Sequence, residues 1–270
     1  MSGRLEGKVA LVSGAARGQG RSHAVRLAEE GADIVAFDVC RQLDTVEYPL
    51  AGSEDLKETV RLVEGLDRRI IAREADVRDT AALDALVAEA VAAFGRLDVV
   101  CANAAITGFV DNTWSITDEQ WAQMIGINLT GVFTTVRAAA PAMIEAGHGG
   151  CIAITSSSAG TKGMVNLGHY SAAKHGVVGL ARTLANELAP HSIRVNTLHP
   201  TGVNTPFINN DHIRGFIEAH PDWSANMANA LPVDMVEPID ISNAIVWLAS
   251  EEGRYVTGVA LPIDAGFAQR

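Results

Sequence analysis

Short apolar runs alternate along the chain with longer segments in which apolar residues recur every three or four positions. The first pattern is typical of buried strands, and the second is typical of helices that pack on one face. The runs predict strands at residues 8–13, 33–38, 69–75, 97–102, 151–154, 192–198 and 259–263. Because helical segments separate these strands, we expect an α/β fold with a doubly wound parallel sheet of about seven strands, in one domain of residues 1–270.

The sequence predicts limits for two long helices. The sequence Thr117-Asp118-Glu119-Gln120 has the form of a capping box, which predicts the start of a helix that continues through Asn128 to Ala146. A second helix runs from about Asn166 to Ala189, where Pro190 ends it.

Charge and composition exclude several classes of partner. A net charge of −11 and a pI near 5.1 argue against nucleic acid, since binding a phosphate backbone needs clustered lysines and arginines. The three cysteines are far apart and lack C-x-x-C spacing, so they predict neither a disulfide framework nor a zinc site. No apolar run approaches the length of a membrane span, and we expect a cytoplasmic protein without membrane association.

A glycine-rich turn follows the first predicted strand and precedes a helix. Glycines at Gly14, Gly18 and Gly20 would let the backbone approach a pyrophosphate at the helix N-terminus, with Arg17 and Gln19 between them. The sequence therefore predicts a dinucleotide cradle. The alternative is an ordinary connection between a strand and a helix.

The end of the second strand bears on the choice of cofactor. Asp38 stands where an acidic side chain would accept hydrogen bonds from the adenosine ribose, and its charge would repel a 2′-phosphate. This position favours NAD over NADP. Arg17 points the other way, because a basic residue before the second glycine can occur in proteins that bind NADP.

Three side chains suggest proton chemistry. Lys174 lies four residues after Tyr170 and so on the same helix face, where a cation would lower the pKa of the phenol. A tyrosine tuned in this way can exchange a proton at neutral pH. Ser157 comes just after the apolar run of residues 151–154, where a strand should stop, and would place a hydroxyl in the same cleft. The alternative is that Tyr170 is an ordinary half-buried residue and Lys174 a solvated one.

Serine, tyrosine and lysine at these spacings, with the Gly-x-x-x-Gly-x-Gly turn, resemble the short-chain dehydrogenase/reductase family from Gly7 to Gly266. The resemblance implies a Rossmann-type fold and an alcohol dehydrogenase or ketoreductase. In it Tyr170 is the general base, Ser157 binds the substrate oxygen, Lys174 holds the ribose, and Asn128 completes a tetrad. The residues it implies for contact with the cofactor are Gly14, Arg17, Gly18, Gln19, Gly20, Asp38, Asp76, Val77, Asn103, Ala104, Tyr170, Lys174, Pro200, Val203 and Thr205.

The sequence departs from the family pattern at two places. Ala105 replaces the third glycine of a tripeptide after the fourth strand, which affects local packing. His199-Pro200-Thr201-Gly202 replaces the usual Asn-Pro-Gly at the start of the loop on the nicotinamide side.

An insert of residues 39–52 is longer than connections in such folds usually are. Together with residues 16–23, it resembles the mycofactocin-coupled, carveol-dehydrogenase-like subfamily. That resemblance implies NAD that does not readily exchange, mycofactocin as the external electron acceptor, and, from the wider family, a homotetramer. The alternatives are a solvated surface loop and an ordinary dehydrogenase with freely exchanging NAD.

Residues 204–236 mix apolar side chains with prolines, which predicts a lid over the substrate; the alternative is a peripheral packing helix. Such walls favour a hydrophobic secondary alcohol or its ketone over a sugar. The side chains expected to form them are Phe216, Trp223, Met227, Leu231 and Met235, with Trp114 from the loop after the fourth strand.

Other classes of function have less support. A serine hydrolase would need a Gly-x-Ser-x-Gly elbow, which the sequence lacks. His169 and His175 are six residues apart and would not share a helix face, so no metal site is expected. A non-catalytic dinucleotide-binding regulator would keep the glycines and Asp38 without needing Ser157 or Tyr170, so an enzyme is favoured.

Overall fold

A computed structural model of the protein describes residues 3–220 and 228–269. Seven parallel strands form one sheet in the order β3-β2-β1-β4-β5-β6-β7, which confirms the predicted doubly wound α/β fold. The strands are β1 (Val9–Ser13), β2 (Asp33–Asp38), β3 (Ile70–Glu74), β4 (Val99–Ala102), β5 (Gly150–Thr155), β6 (Ile193–Pro200) and β7 (Ala260–Ile263).

Helices cover both faces of the sheet, because neighbouring residues of a strand point to opposite faces. The helices are α1 (Gly18–Glu29), α2 (Ser53–Glu64), α3 (Thr80–Phe94), α4 (Asp118–Ile125), α5 (Gly131–Ala146), α6 (Gly168–Leu188), α7 (Asp211–Ala219) and α8 (Pro238–Ala249). Val9 and Leu11 of β1 join a core with α3, α5 and α6, whereas Ala10 and Val12 join a second core with α1, α2 and α8. Among the described residues no helix is long and apolar enough to span a membrane.

The helix predicted from Thr117 to Ala146 is not one regular α-helix. The capping box is confirmed, since Thr117 Oγ1 accepts from the Gln120 amide at 3.1 Å. A π-helical turn over Gly126–Thr130, however, separates α4 from α5. Asn128 lies in this wider turn and hydrogen-bonds the backbone of Ile106, which a residue on the solvent side of a regular helix could not do.

The order of the strands also locates a cleft. The chain starts at β1, builds outward through β2 and β3, and then returns to place β4 on the other side of β1. Ligands of open α/β sheets bind where this reversal separates the loops at the carboxyl ends of the strands. The loops after β1 and β4 flank that crevice here.

Candidate active site

One long cleft, with a volume of about 220 Å³, lies at the carboxyl edge of the sheet. Asp38 and the glycine turn line one end of it, and Ser157 and Tyr170 line the other. All the residues predicted to contact the cofactor line this cleft: Gly14, Arg17, Gly18, Gln19, Gly20, Asp38, Asp76, Val77, Asn103, Ala104, Tyr170, Lys174, Pro200, Val203 and Thr205. Within residues 3–220 and 228–269, no group of three or more His, Cys, Asp or Glu side chains could hold a metal ion.

The turn after β1 has a shape that only glycine permits at two positions. Gly14 has a φ of +67°, and a Cβ there would lie 2.8 Å from the Cα of Ala104. A Cβ on Gly20 would lie 1.9 Å from the carbonyl oxygen of Gly14. Since α1 begins at Gly18, its unpaired amides face the same turn. The turn fits a dinucleotide pyrophosphate, both in the room it leaves and in the polarity of the helix end.

Asp38 is fixed beside this turn. Its Oδ2 accepts from the Ala16 amide at 3.0 Å, and burial raises the pKa of the carboxyl while this hydrogen bond opposes the rise. The guanidinium of Arg17 donates to the carbonyl of Pro49 in the insert. Arg17, whose position in the sequence favoured NADP, is therefore held by the insert.

Ser13 ties the loop after β4 to the end of β1. Its Oγ accepts from the amides of Asn103 at 2.9 Å and Ala104 at 3.0 Å. The side chain of Asn103 also donates to the Ser13 carbonyl at 3.1 Å and accepts from Thr155 Oγ1 at 3.2 Å. The sequence prediction missed Ser13, although a serine that ends an otherwise apolar strand was a signal for such a role.

Asp76 and Val77 form the far wall of the adenosine end. Burial raises the pKa of Asp76, but hydrogen bonds from Arg78 at 2.9 and 2.6 Å outweigh it, and the pKa is lowered overall. Arg41 from the insert lies 3.3 Å from the same carboxylate. Val77 packs closely on Gly131: a Cβ added to Gly131 would lie 2.5 Å from Val77 Cγ2.

The three predicted catalytic side chains Ser157, Tyr170 and Lys174 meet at the other end. Ser157 follows β5, and Tyr170 and Lys174 lie one turn apart on α6. Lys174 is 1% exposed, and its Nζ donates to the carbonyl of Thr155 at 2.7 Å. The same Nζ lies 5.6 Å from the centre of the Tyr170 ring.

The expectation that Lys174 lowers the pKa of Tyr170 is wrong in direction, because the pKa of this phenol is raised. Burial raises the pKa of Tyr170 to about 12, and a hydrogen bond with Ser157 only partly opposes it. Burial likewise lowers the pKa of Lys174 to about 7. The physical reason is that both groups lose water, while the ammonium is bonded to a carbonyl and not to the phenol.

Asn128 lies behind the wall of the cleft, with a fully buried side chain. Its Oδ1 accepts from the Ile106 amide at 2.9 Å, and its Nδ2 donates to the Ile106 carbonyl at 2.8 Å. The side chain thus acts on the cleft through Ile106, which is one of the lining residues.

His199 is buried near the end of β6, beside the segment that follows β5. Its Nδ1 lies 2.7 Å from the carbonyl oxygen of Ser157, and its Nε2 lies 2.8 Å from Thr197 Oγ1. Burial lowers the pKa of this imidazole. The sequence identified His199 only as a departure from the family pattern, and its contact with Ser157 was not foreseen.

The substrate end has apolar walls, but none of the four described side chains that were expected there lines it. Trp114 is 88% exposed and Leu231 is 60% exposed, so both predictions were wrong. Phe216 stands behind the wall, with its ring 4.9 Å from that of Phe109, and Met235 lies near Gly202. Trp223 and Met227 lie outside the described residues. The apolar side chains that do line this end are Ile106, Phe109, Met164, Leu167, Phe207 and Ile208.

The insert of residues 39–52 is packed into the protein, and the alternative of a solvated loop is wrong. Leu43, Val46 and Tyr48 are buried in the main core. The side-chain amide of Gln42 organises the insert from within: it donates to the Val46 carbonyl at 2.7 Å and accepts from the Leu50 amide at 3.0 Å.

Tyr48 connects the insert to two other walls of the cleft. Its hydroxyl accepts from the Thr107 amide at 3.2 Å, and its ring meets that of Phe207 edge-on at 6.0 Å. Nearby, Glu47 Oε2 lies 3.1 Å from His212 Nε2 on α7. The insert therefore bridges the loop after β4 and the segment after β6.

Comparison with known proteins agrees with this geometry. A family profile described as enoyl-(acyl carrier protein) reductase matches residues 14–268. A (-)-trans-carveol dehydrogenase of Rhodococcus erythropolis is 50% identical, over 97% of this chain and 98% of its own length. The crystal structure of carveol dehydrogenase from Mycobacterium avium in complex with NAD has a TM-score of 0.95 and 50% identity, covering 99% of this chain and 100% of that one.

A crystal structure of a short-chain dehydrogenase from Mycobacterium paratuberculosis bound to NAD has the same TM-score of 0.95 at 47% identity, covering 99% of this chain and 100% of that one. Identity at this level along nearly the whole chain exceeds what a shared fold alone requires. The sheet order, the glycine turn and the arrangement of Ser157, Tyr170 and Lys174 give the same answer. The chain belongs to the short-chain dehydrogenase/reductase family, within which it is similar to the carveol dehydrogenases.

Proposed function

We propose that the protein is an NAD-dependent oxidoreductase that interconverts a hydrophobic secondary alcohol and its ketone. The observation that carries the proposal is a single cleft, with a dinucleotide cradle at one end and Ser157, Tyr170 and Lys174 at the other. The NAD in two similar crystal structures supports the choice of cofactor.

The proposed chemistry divides between cofactor and side chains. When bound, NAD supplies the acceptor for the hydride that leaves the carbinol carbon. Ser157 Oγ hydrogen-bonds the substrate oxygen, and Tyr170 takes the hydroxyl proton as general base. Lys174 holds the ribose hydroxyls and, when charged, favours the tyrosinate. Asn128 supports a proton relay to solvent through water, and its side chain is held in place by the Ile106 backbone.

Asp38 supports NAD over NADP. Its carboxylate is fixed by the Ala16 amide at the end of β2, where an acidic group accepts hydrogen bonds from the adenosine ribose. A 2′-phosphate brought there would meet a buried negative charge. Arg17 offers little compensation, because its guanidinium is bonded to the Pro49 carbonyl.

A direct experiment tests cofactor and activity together. We expect mass spectrometry of the denatured protein to identify released NAD, and the folded protein to oxidise a secondary alcohol. NADP in place of NAD would contradict the assignment to Asp38. Bound NAD without oxidation of any alcohol would instead indicate a non-catalytic dinucleotide-binding protein.

The substrate class follows from the apolar wall at the catalytic end. Phe109 and Phe207 face this end together with aliphatic side chains, and such walls favour an apolar substrate with one oriented oxygen. A panel of terpene, alicyclic and polyhydroxy alcohols tests the proposal. We expect the terpene and alicyclic alcohols to have the highest kcat/KM, and a preference for polyols would contradict it.

We also propose that NAD is held without ready exchange and is reoxidised in place by an external acceptor, mycofactocin. The support is the insert, which lines the adenosine end and is anchored by Tyr48, Gln42 and the contact with Arg17. The test compares desalted protein supplied with free NAD and with an artificial dye acceptor. We expect turnover only with the dye. Rapid turnover of nucleotide-free protein with added NAD would indicate an ordinary exchanging dehydrogenase.

The family supports one further proposal, a homotetramer. The proposals that the protein is cytoplasmic and uses residues 1–270 as one catalytic domain rest on composition and length. Light scattering on the purified protein measures the assembly, and a monomeric mass at micromolar concentration would contradict it.

A further inference from the structure

The hydrogen bonds of His199 specify its tautomer. A carbonyl oxygen can only accept, so the Nδ1 atom that lies 2.7 Å from the Ser157 carbonyl carries a hydrogen. In the neutral ring Nε2 is then an acceptor, and Thr197 Oγ1 at 2.8 Å can donate to it. The ring is 1% exposed, and burial favours its neutral form. One neutral tautomer thus satisfies both contacts.

His199 holds the end of the segment of residues 155–157, whose first two residues have other partners. The Thr155 carbonyl accepts from Lys174 Nζ at 2.7 Å, and the Ser156 amide donates to the Leu198 carbonyl at 2.9 Å. The Ser157 carbonyl has a local partner in the Gly160 amide at 2.8 Å. His199 is its link to β6, and therefore to the sheet.

Asparagine and glutamine offer a comparison at this position. The Nδ2 of asparagine is the same number of bonds from Cα as the Nδ1 of histidine, so either residue can donate to the same carbonyl. The Nε2 of glutamine is one bond further away, closer to where histidine carries its second nitrogen. Asparagine and glutamine therefore separate the contact with Ser157 from the contact with Thr197.

We propose that His199 is a positioning residue: its Nδ1–H fixes the Ser157 backbone so that the Ser157 hydroxyl meets the substrate oxygen beside Tyr170. This inference rests on the proposed function, because it assigns Ser157 to the substrate. His199 itself touches neither the substrate nor the proton that is transferred. Its effect is on geometry, and small displacements of a catalytic group cost up to about a hundredfold in rate.

The test compares His199→Asn, His199→Gln and His199→Leu with the wild type in steady-state alcohol oxidation. We expect His199→Asn to keep kcat within about threefold, and the other two variants to lose about tenfold to a hundredfold in kcat. Both losses should appear equally in kcat/KM, because the bond to the substrate oxygen strengthens in the transition state. His175→Asn is the matched control, since that imidazole follows Lys174 on α6 and its Nδ1 lies 2.9 Å from the Ser171 carbonyl, away from Ser157.

Bound nucleotide and thermal melting are measured on every variant. Bound nucleotide should stay close to the wild type, whereas the Leu variant should melt at a lower temperature, because it takes the imidazole away from the buried Thr197 hydroxyl and Ser157 carbonyl. Equal activity of the Asn and Gln variants, or a fully active Leu variant, would overturn the proposal; the Asn and Gln pair decides it if the Leu variant does not fold. Long-range ¹H–¹⁵N NMR of labelled histidine reads the tautomer without any substrate. A neutral Nδ1–H form is expected, and an Nε2–H form would overturn the proposal even if no alcohol proved to be a substrate.

Discussion

The two ends of the cleft are built in different ways. At the catalytic end, Tyr170 and Lys174 stand on α6 and Ser157 closely follows β5, and backbone groups hold this end, as in the bond from Lys174 Nζ to the Thr155 carbonyl. At the adenosine end, an insert without helix or strand is held by side chains such as Gln42 and Tyr48.

This difference separates chemistry from retention. Regular elements cannot shift one side chain without disturbing a whole strand or helix, and the catalytic geometry is therefore durable. The insert can open at the cost of a few side-chain contacts, so it can govern how long a cofactor stays. Substitutions at one end should change the rate, and substitutions at the other should change the exchange of NAD.

The largest expected effect is at the catalytic end. Tyr170→Phe removes the general base and keeps the ring, so alcohol oxidation should fall by at least about 10² to 10⁴ while bound NAD is unchanged. Steady-state rates and the nucleotide content of the purified variant measure the two quantities. Tyr255→Phe is the control, since that side chain is 89% exposed. Near-native turnover of the Tyr170 variant would remove the phenol from the mechanism.

The wall between the two ends is expected to matter for stability. Asn128→Leu would leave the amide and carbonyl of Ile106 buried without their partner, which should cost about 2 to 4 kcal/mol in the free energy of unfolding. Chemical denaturation measures this loss, and Asn186→Leu on the exposed face of α6 is the control. Equal stability of the two variants would show that the buried amide contributes nothing.

The same division explains what could be predicted from the sequence. Helical spacing placed Tyr170 and Lys174 on one face, and the end of an apolar run placed Ser157 beside them, because regular elements have a known period. The fold followed for the same reason. The π-helical turn at Asn128 did not, since it depends on a bond to Ile106, 22 residues earlier in the chain.

Residues in irregular segments were harder to assign. Trp114 and Leu231 were expected in the substrate wall because they are large and apolar, yet both face solvent, and Phe109, Met164 and Leu167 line the cleft instead. Loops have no period from which a facing direction can be read. The tyrosine pKa was also wrong in direction, because the spacing of Lys174 reveals its charge but not the burial that outweighs it.

The pH dependence of the rate tests the electrostatics of the catalytic end. Burial raises the pKa of Tyr170 to about 12, and oxidation requires the deprotonated phenol. Below the pKa the deprotonated fraction grows about tenfold per pH unit, so oxidation should rise with pH, whereas ketone reduction, which needs the protonated phenol, should stay level until the pH approaches the pKa and fall above it. The pH at which kcat levels off reports the pKa in the loaded enzyme. An oxidation rate that is flat from pH 6 to an alkaline limit would contradict a phenol as the base.

The smallest effect is expected where the insert meets Phe207 of the substrate wall. Tyr48→Phe keeps the ring against Phe207 but leaves the Thr107 amide without its acceptor. Losing this bond should weaken the closed insert by about 1 kcal/mol, which corresponds to loss of bound NAD about fivefold faster. Isotopically labelled NAD, chased with unlabelled nucleotide after desalting, gives the rate of exchange.

Turnover with a dye acceptor is the second measurement on the same Tyr48 variant. Because the dye reoxidises the cofactor in place, kcat should stay within about twofold of the wild type while exchange accelerates. Glu47→Gln provides a graded comparison, since its contact with His212 is largely exposed and should change exchange less. If exchange in the Tyr48 variant equalled that of the wild type, the insert would not control retention. If kcat fell as far as exchange rose, the two ends of the cleft would not be separable, because the Thr107 loop would carry the disturbance from the insert to the catalytic end.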